Sequence, residues 1–171
     1  SRDIGDREAG AALAEEWGID PPADPGLTEV EMTHAFGDGI RAAIVLGENP
    51  AATEPDSNSV AERFEKLEFL VTIDLFETET TQYADVILPG SAWAEKNGTV
   101  TNTDRQVLRM RRMTDPPGRA RRDLEIVAGL RERLTGQPFD SDPAAGLAAL
   151  TRLPPPHPRI PYDRTRRRPR A

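Results

Sequence analysis

The side chains best suited to chemistry lie in three short segments that are rich in hydroxyls, amides, glycines and carboxylates. These segments are residues 47–50, 74–80 and 90–103. Small hydroxyl and amide side chains donate hydrogen bonds without demanding space, and glycine lets a backbone approach a ligand closely. Segments of this composition suit a large polar ligand that carries phosphates.

Asp74 is the most informative of these residues, because it directly follows the apolar run 69–73. A carboxylate at the end of a buried parallel strand faces the crevice in which open parallel sheets bind ligands. It could accept two hydrogen bonds from the edge of a guanine or from a ribose diol. It could equally cap a short helix that follows the strand. The residue types alone leave both roles open.

Turn formation is the competing explanation for the segments that contain glycine. Residues 47–50 could form an ordinary turn. The pair Asn97 and Gly98 is a strong hairpin signal in its own right, so a turn is also the simpler interpretation there. Ligand binding at these positions therefore needs support from outside the local pattern.

Composition excludes several classes of functional site. The 171 residues include no cysteine and only two histidines, His34 and His157. This excludes disulfides, iron–sulfur ligation, thiolate metal sites and sites built from several histidines. Neither histidine has a companion for a catalytic pair, and the glycine-rich phosphate motifs of nicotinamide and P-loop enzymes are absent. We therefore assign no catalytic residue and no metal-binding residue.

Charge is unevenly distributed along the chain. Residues 1–110 hold 22 acidic and 8 basic side chains, whereas residues 111–171 hold 7 acidic and 14 basic ones. Only Lys66 and Lys96 are lysines. An acid-rich, lysine-poor chain is typical of proteins from concentrated salt, but a GC-rich genome also replaces lysine by arginine, and both explanations remain open. No aromatic platform accompanies the arginine-rich end, so we expect no nucleic-acid partner.

The elements that position these segments are indicated by apolar runs. Runs of strand length at 42–46, 69–73 and 86–88 are separated by helical patterns. The continuous apolar run 42–46 predicts a strand buried on both faces. A capping-box pattern predicts a helix over 59–67. This alternation predicts an α/β fold, a three-layer Rossmann-like domain with a parallel sheet.

The remaining chain is expected to add helices and a disordered end. Residues 48–58 are rich in turn formers, and the composition becomes proline- and arginine-rich from residue 154. We therefore expect one domain over 1–153 and a disordered tail over 154–171. No apolar run reaches the length of a membrane span, and the default location is the cytoplasm. Further helices are predicted at 7–17, 28–38, 78–84, 123–134 and 143–152.

Five motifs occur in an order that resembles a known family. They are GENP at 47–50, DLFETET at 74–80, YADVILP at 83–89, AEKNGTVTNTDR at 94–105 and PPGRAR at 116–121. Over about residues 7–165 the chain is similar to the large subunits of molybdopterin oxidoreductases. The chain resembles formate dehydrogenases more than nitrate reductases, mainly because the acidic Glu48 precedes Asn49 and Pro50.

The resemblance implies a cofactor and a set of residues that bind it. In that family a molybdenum or tungsten ion is held by two pterin guanine dinucleotides, each bound by one Rossmann-like domain. Residues 47–49 would contact the phosphates and ribose of one dinucleotide, Asp74 would read its guanine with support from Thr78, and the loop 90–103 would close over the site. The implied cofactor-binding residues are Gly47, Glu48, Asn49, Asp74, Thr78, Gly90, Asn97 and Thr99.

The implied activity is the two-electron oxidation of formate to carbon dioxide, with electrons leaving through an iron–sulfur cluster. The family's cysteine ligands for that cluster, its metal-ligating cysteine or selenocysteine and its β-barrel domain have no counterpart in these 171 residues. We therefore expect the chain to act only with the remaining portions of the large subunit and its electron-transfer subunits. A nitrate reductase-like protein and a non-catalytic remnant of a split gene are the alternatives.

Overall fold

The chain forms two compact units in the structure, a computed structural model that describes residues 7–18, 20–22, 24–54, 57–104, 106–152 and 162. The first, called the sheet unit here, consists of Leu27–Ala92 and Asp115–Ile126. The second, called the hairpin unit, consists of the described residues within Ser1–Gly26, Trp93–Thr114 and Val127–Ala171. Apart from Tyr162, the tail predicted over 154–171 lies outside the described residues.

The sheet unit is built on three parallel strands. β1 (Ala42–Leu46), β2 (Phe69–Asp74) and β3 (Val86–Pro89) are hydrogen-bonded in the order β1-β2-β3. Val71 lies opposite Ile44 on one side and Val86 on the other. The predicted α/β class, the parallel sheet and the positions of all three strands are therefore confirmed.

Helices cover one face of this sheet. They are α2 (Glu29–His34), α3 (Pro50–Thr53), α4 (Ser57–Phe64) and a 3-10 turn at Thr80–Tyr83. The core on this face is formed by Ala51, Val60, Phe64 and Leu70, against which Phe36, Ala43, Val45, Leu67, Tyr83 and Ala84 pack. The Phe64 ring lies 5.4 Å from the Phe36 ring and 5.8 Å from the Tyr83 ring. Removing this apolar surface from water stabilises the unit at about 25 cal/mol per Å².

The prediction that β1 is buried on both faces was wrong. Ala43 and Val45 pack against the helical core, but Ile44 is 56% exposed and Leu46 is 45% exposed. β1 lies at an edge of the sheet, and alternate residues of a strand point to opposite faces. The apolar run correctly predicted a strand, but burial of its second face depends on what covers that face.

Two predicted boundaries around α3 and α4 were also wrong. The turn-rich stretch 48–58 contains α3, a short helix with Pro50 at its first turn, where proline is well tolerated. α4 begins at Ser57, so Ser59 lies inside the helix instead of capping it. The Ser59 hydroxyl accepts a 3.1 Å hydrogen bond from Nε of Arg63, one turn later.

The helix predicted over 28–38 is shorter than expected, and a capping box fixes where it begins. Thr28 Oγ1 accepts from the Glu31 backbone N–H at 3.3 Å, and the Glu31 carboxylate accepts from the Thr28 N–H at 2.8 Å. This reciprocal capping box begins α2 at Glu29. Gly37, with φ +77°, then turns the chain toward β1.

The hairpin unit contains α1 (Arg7–Trp17), the strands β4 (Gly98–Thr101) and β5 (Val107–Met110), and α6 (Pro143–Arg152). α5 (Asp123–Thr135) begins in the sheet unit and continues in the hairpin unit. The helices predicted at 7–17, 123–134 and 143–152 are confirmed.

The turn predicted at Asn97 and Gly98 was wrong. Gly98 is the first residue of β4 and lies opposite Met110 in the antiparallel pair. The hairpin reverses instead between Asn102 and Gln106, where the Asn102 N–H donates to the Gln106 carbonyl at 3.0 Å. The Asn102 side chain accepts from the Gln106 N–H at 2.9 Å, and this bond favours the turn over a continued strand.

Candidate functional site

The carboxyl ends of the three parallel strands bring several of the predicted site residues to one edge of the sheet. Leu46 lies opposite Ile73, and Asp74 lies opposite Pro89. The chain leaves the sheet at this edge through residues 47–50, 74–80 and 90–92. This edge is where open parallel sheets place their ligands, so we call it the carboxyl edge.

Gly47 and Glu48 form the exposed rim of this edge. Gly47 has φ +64°, a left-handed conformation that glycine adopts without strain. Its N–H donates to the Ile73 carbonyl at 2.9 Å, which extends the β1–β2 ladder by one bond. Glu48 is exposed. The geometry gives Gly47 a turn role and leaves the Glu48 carboxylate open to a ligand.

Asn49 braces two of the loops together. Its Oδ1 accepts from the Thr80 N–H at 3.1 Å and from the Thr80 hydroxyl at 2.8 Å. Its Nδ2 donates to the Glu79 carboxylate at 2.7 Å. Both acceptor positions of the amide oxygen are therefore used within the protein, and one N–H of the amide has no partner among the described residues.

Thr80 is a site residue that the sequence did not reveal. Its side chain is completely buried, and its hydroxyl accepts from the Ala51 N–H at 3.1 Å while donating to Asn49. Through these bonds the start of α3 and the loop after β2 hold each other in position. Several threonines occur in this stretch, and no pattern in the sequence distinguishes the one that bonds Asn49 and Ala51.

The brace also sets the charge state of Glu79. Hydrogen bonds from the Asn49 amide and from its own backbone N–H lower the pKa of the Glu79 carboxyl below its ordinary value. The carboxylate is therefore the form that the loop requires, and it adds negative charge to the rim of the carboxyl edge.

Asp74 has one oxygen engaged and one available. Oδ1 accepts from the Leu75 N–H at 2.6 Å, and the Asp74 carbonyl accepts from the Gly90 N–H at 2.8 Å. Oδ2 has no partner among the described residues. The 3-10 turn begins six positions later, at Thr80, so the alternative in which Asp74 caps a following helix does not match the structure.

A second carboxylate, Asp123, lies at the same edge. A Cβ added to Gly90 would come within 3.1 Å of Asp123 Oδ1 and 3.5 Å of the Asp74 carbonyl. The Arg121 N–H donates to the Pro89 carbonyl at 3.0 Å, which fixes the chain just before α5 against the end of β3. In the sequence Asp123 is only the first residue of a predicted helix, because nothing local indicates which strand end it meets.

Several buried hydroxyls at the sheet lack partners among the described residues. They belong to Thr72 on β2, Thr78 in the loop after β2, and Ser91 after β3. Ser91 is completely buried. Unpaired buried polar groups cost free energy, so a polar ligand or water that bonded them would be stabilising.

The predicted residues Asn97 and Thr99 belong to the hairpin unit. Asn97 is exposed, and its Oδ1 accepts from the Arg112 N–H at 3.0 Å. Thr99 is half-buried in β4, opposite Arg109. Within this unit both residues support the hairpin, and their proposed contact with a cofactor remains a prediction.

The described residues also bear on metal binding and on membrane insertion. They include no group of three or more histidines, cysteines or carboxylates placed to hold a metal ion. None of their helices is both long and apolar enough to cross a membrane. The carboxyl edge offers a set of hydrogen-bonding groups, which is chemistry for holding a polar ligand.

Comparison with known proteins matches most of the chain to one family. The family model for molybdopterin oxidoreductases matches residues 5–133. The chain belongs to the molybdopterin oxidoreductase family. All the site residues assigned from the motifs lie within the matched stretch.

Relatives within the molybdopterin oxidoreductase family include proteins of more than one activity. The chain is 44% identical over 128 residues to the F420-dependent formate dehydrogenase subunit alpha of Methanocaldococcus jannaschii, covering 74% of this chain and 19% of that protein. It is 41% identical over 125 residues to a nitrate reductase of Klebsiella oxytoca, covering 71% of this chain and 14% of that protein. The chain thus spans less than a fifth of the length of these two relatives.

A solved structure agrees on the fold. Acetylene hydratase from Pelobacter acetylenicus superposes with a TM-score of 0.58 at 18% identity, covering 74% of this chain and 19% of that chain. At this identity the likeness concerns the fold alone.

Proposed function

We propose that this chain is part of a formate dehydrogenase-like molybdopterin oxidoreductase and binds one pterin guanine dinucleotide of a molybdenum or tungsten cofactor. The observation that carries the proposal is the position of Asp74 at the carboxyl edge, with one carboxylate oxygen, Oδ2, that has no partner among the described residues. The N–H and O–H groups of a nucleotide would pair with this oxygen. Family membership supplies the class of nucleotide.

The proposal assigns a role in cofactor binding to each of these residues at the carboxyl edge. The Asp74 carboxylate accepts hydrogen bonds from the two adjacent N–H donors of guanine, whereas adenine would present an acceptor to it. Gly90 lets Asp74 and Asp123 approach the end of β3 closely, because an added Cβ would lie 3.1 Å from Asp123 Oδ1 and 3.5 Å from the Asp74 carbonyl. Gly47, Glu48 and the free N–H of Asn49 face the ribose and phosphates. Asn97 and Thr99 are proposed as further cofactor contacts.

The redox chemistry in this proposal is supplied by the metal of the bound cofactor, and the protein binds and orients it. The chain holds no cysteine, so the iron–sulfur cluster that carries electrons away is assigned to the remaining portions of the enzyme. Those portions and the electron-transfer subunits are the proposed partners. The proposed location is the cytoplasm.

Formate is preferred as the substrate because formate dehydrogenase alpha subunits occur among the relatives at 44%, 42% and 35% identity. A nitrate reductase-like function is the second candidate, since the Klebsiella oxytoca relative is 41% identical. Measurement of formate-dependent and nitrate-dependent turnover of the assembled enzyme distinguishes the two candidate functions.

The test of the cofactor site is nucleotide preference. By titration calorimetry the chain should bind guanosine diphosphate more tightly than adenosine diphosphate. Asp74→Asn should weaken guanosine diphosphate binding about 10- to 100-fold, because a charge-assisted hydrogen bond contributes about 1.5–3 kcal/mol. The same variant should reduce the preference for guanine, since an amide offers adenine a matching donor and acceptor.

Asp38→Asn is the matched control, because Asp38 is an exposed turn residue before the amino end of β1. It should leave both affinities unchanged. Equal affinity of the unaltered chain for the two nucleotides, or binding of neither at millimolar concentration, would contradict the proposed site.

A further inference from the structure

The loops of the carboxyl edge are rich in hydrogen-bond acceptors and contain no cation. Residues 47–50, 74–80 and 90–92 hold four carboxylates and no lysine or arginine. Guanine presents N–H donors that a carboxylate can bond, but it also presents two acceptors, O6 and N7. A site that reads guanine through Asp74 alone leaves these acceptors without donors. Recognition of the whole base therefore needs a donor from another part of the chain.

Arg121 is brought to the carboxyl edge by a backbone hydrogen bond. Its N–H donates to the Pro89 carbonyl at 3.0 Å, and Pro89 lies opposite Asp74 in the parallel register. Gly90, the next residue, donates its N–H to the Asp74 carbonyl at 2.8 Å. Neighbouring strands lie about 4.8 Å apart. An extended arginine side chain is longer than this spacing, so the Arg121 guanidinium can reach a base that is held by Asp74.

The Arg121 side chain is exposed, and its donors are not used by the nearby carboxylate of Glu125 on α5. The two oxygens of Glu125 accept from the Arg122 N–H and from the Arg122 guanidinium. The bond from the Arg122 side chain is the largest cause that lowers the pKa of the Glu125 carboxyl, and Arg121 contributes only through its charge. Arg121 forms no ion pair with a described residue, so its donors are available to a ligand.

We propose that Arg121 reads the guanine base together with Asp74. The guanidinium donates two hydrogen bonds to O6 and N7, while the carboxylate accepts from N1–H and the 2-amino group. This role rests on the proposed function, in which the carboxyl edge binds a guanine nucleotide. It also gives the PPGRAR motif at 116–121 a part in specificity. Adenine keeps N7 but carries an amino group in place of O6, so it presents a donor to a donor.

Contact with the diphosphate is the alternative role for Arg121. Gly47 and Asn49, which we propose to face the ribose and phosphates, follow β1, and β2 lies between β1 and β3. Arg121 is bonded to the end of β3, which is next to Asp74 and farther from Gly47. The order of the strands therefore places Arg121 on the base side of the nucleotide.

The test uses a nucleotide that changes one atom of the base. 7-Deazaguanosine diphosphate has a C–H in place of N7, and it keeps the phosphates and the donors that Asp74 would bond. Affinities are measured by NMR chemical-shift titration, which extends to millimolar dissociation constants. The unaltered chain should bind guanosine diphosphate at least about fivefold more tightly than the deaza analogue, because one hydrogen bond from a charged donor is lost.

Replacement of Arg121 should remove this difference. Arg121→Met keeps a long apolar stem without the donors. It should bind guanosine diphosphate about 10- to 100-fold more weakly, and it should bind the two nucleotides equally. Arg41→Met is the matched control, because Arg41 is an exposed arginine at the amino end of the same sheet. It should retain both affinities and the difference between them.

A second measurement needs no substitution. In the unaltered chain, the guanidinium N–H signals of Arg121 should shift on addition of guanosine diphosphate and shift much less on addition of the deaza analogue. This comparison decides the role of Arg121 if Arg121→Met binds neither nucleotide at millimolar concentration.

Three results would overturn the role of Arg121: equal affinity of the unaltered chain for guanosine diphosphate and its deaza analogue, an unchanged ratio of the two affinities in Arg121→Met, or equal shifts of the guanidinium signals. An unchanged ratio with both affinities lowered would assign Arg121 to the phosphates. Failure here is distinguishable from failure of the proposed function. Preference for guanosine over adenosine diphosphate without dependence on N7 contradicts only the role of Arg121, whereas equal affinity for guanosine and adenosine diphosphates contradicts the cofactor site.

Discussion

At the scale of single residues, the carboxyl edge depends on side chains that hold the loops as much as on those that face a ligand. Asn49 occupies a motif position expected to contact the cofactor, yet most of its hydrogen-bonding capacity is used by Thr80 and Glu79. Thr80 has no exposed surface. The family motif at 47–50 therefore serves the site partly by fixing the loop at 74–80.

Removal of the Asn49 amide should be visible in both titration and stability. Asn49→Ala should raise the pKa of Glu79 toward its ordinary value, because the largest cause of its lowering is the hydrogen bond from Asn49. It should also cost about 1–3 kcal/mol of unfolding free energy, since the buried Thr80 groups lose their acceptor. Carboxyl-detected NMR titration and urea unfolding measure the two effects.

The contribution of the Glu79 carboxylate to stability changes with pH in one direction. The folded-state pKa of Glu79 is lowered, so its contribution to stability is complete above the unfolded-state pKa and is lost as pH falls through the folded-state pKa. Asn102→Ala, which removes an amide from the hairpin turn instead, should leave the Glu79 titration unchanged. An unaltered Glu79 pKa in Asn49→Ala would show that the brace does not form in solution.

At the scale of elements, the position of β1 is set by the turn that precedes it. Gly37 adopts φ +77°, and a Cβ built there would lie 2.5 Å from the Lys66 Cβ and 3.1 Å from the Lys66 carbonyl. The turn after α2 and the chain just before β2 thus approach too closely for any side chain. The exposed Arg41–Glu68 ion pair, at 2.7 Å and 2.5 Å, joins the two strands at the same end.

Gly37→Ala should destabilise the sheet unit more than a glycine change in open space. Gly118→Ala is the control, because Gly118 has φ +55° but no atom within 4 Å of an added Cβ. The control should cost about 1–2 kcal/mol from the left-handed backbone alone. Gly37→Ala should cost about 1–3 kcal/mol more from overpacking against Lys66. Equal losses in chemical unfolding would show that the contact with Lys66 relaxes freely.

At the scale of the whole molecule, we propose that this chain binds a cofactor whose redox chemistry needs groups from the rest of the enzyme. This chain has no cysteine to ligate a metal or an iron–sulfur cluster. Purified alone, it should therefore show no formate-dependent dye reduction, with or without added molybdenum cofactor. Measurable reduction by the purified chain would contradict the proposed division of functions.

The proposed division of functions between this chain and the rest of the enzyme also predicts the effect of replacing Asp74 in a complete enzyme. In a chimera of the Methanocaldococcus jannaschii relative that carries the matched stretch of this chain, Asp74→Ala should lower cofactor occupancy. The loss of charge-assisted hydrogen bonds is worth about 1.5–3 kcal/mol each. Turnover per bound metal should be unchanged. Full occupancy with reduced turnover would instead assign Asp74 to the chemistry and not to guanine binding.

The sequence by itself determined the α/β class, the three strands, most of the helices and the family, because apolar periodicity and consecutive motifs are local properties of the chain. It also placed Asp74 at the end of β2, where the structure has it. It did not reveal Thr80 or Asp123, since their partners are 31 and 33 residues away, at Asn49 and Gly90.

Only the tertiary structure decided which strand lies at an edge, which hydroxyls are buried without partners among the described residues, and where the hairpin turns. The sequence does not show whether the sheet face that carries Ile44 is covered. An apolar residue type indicates a preference for burial, not that the residue is buried. Asn97 and Gly98 favour a turn locally, but pairing of Gly98 with Met110 outweighs that preference. Burial and pairing are decided by residues distant in the chain, and they determine which of the predicted groups remain available to a ligand.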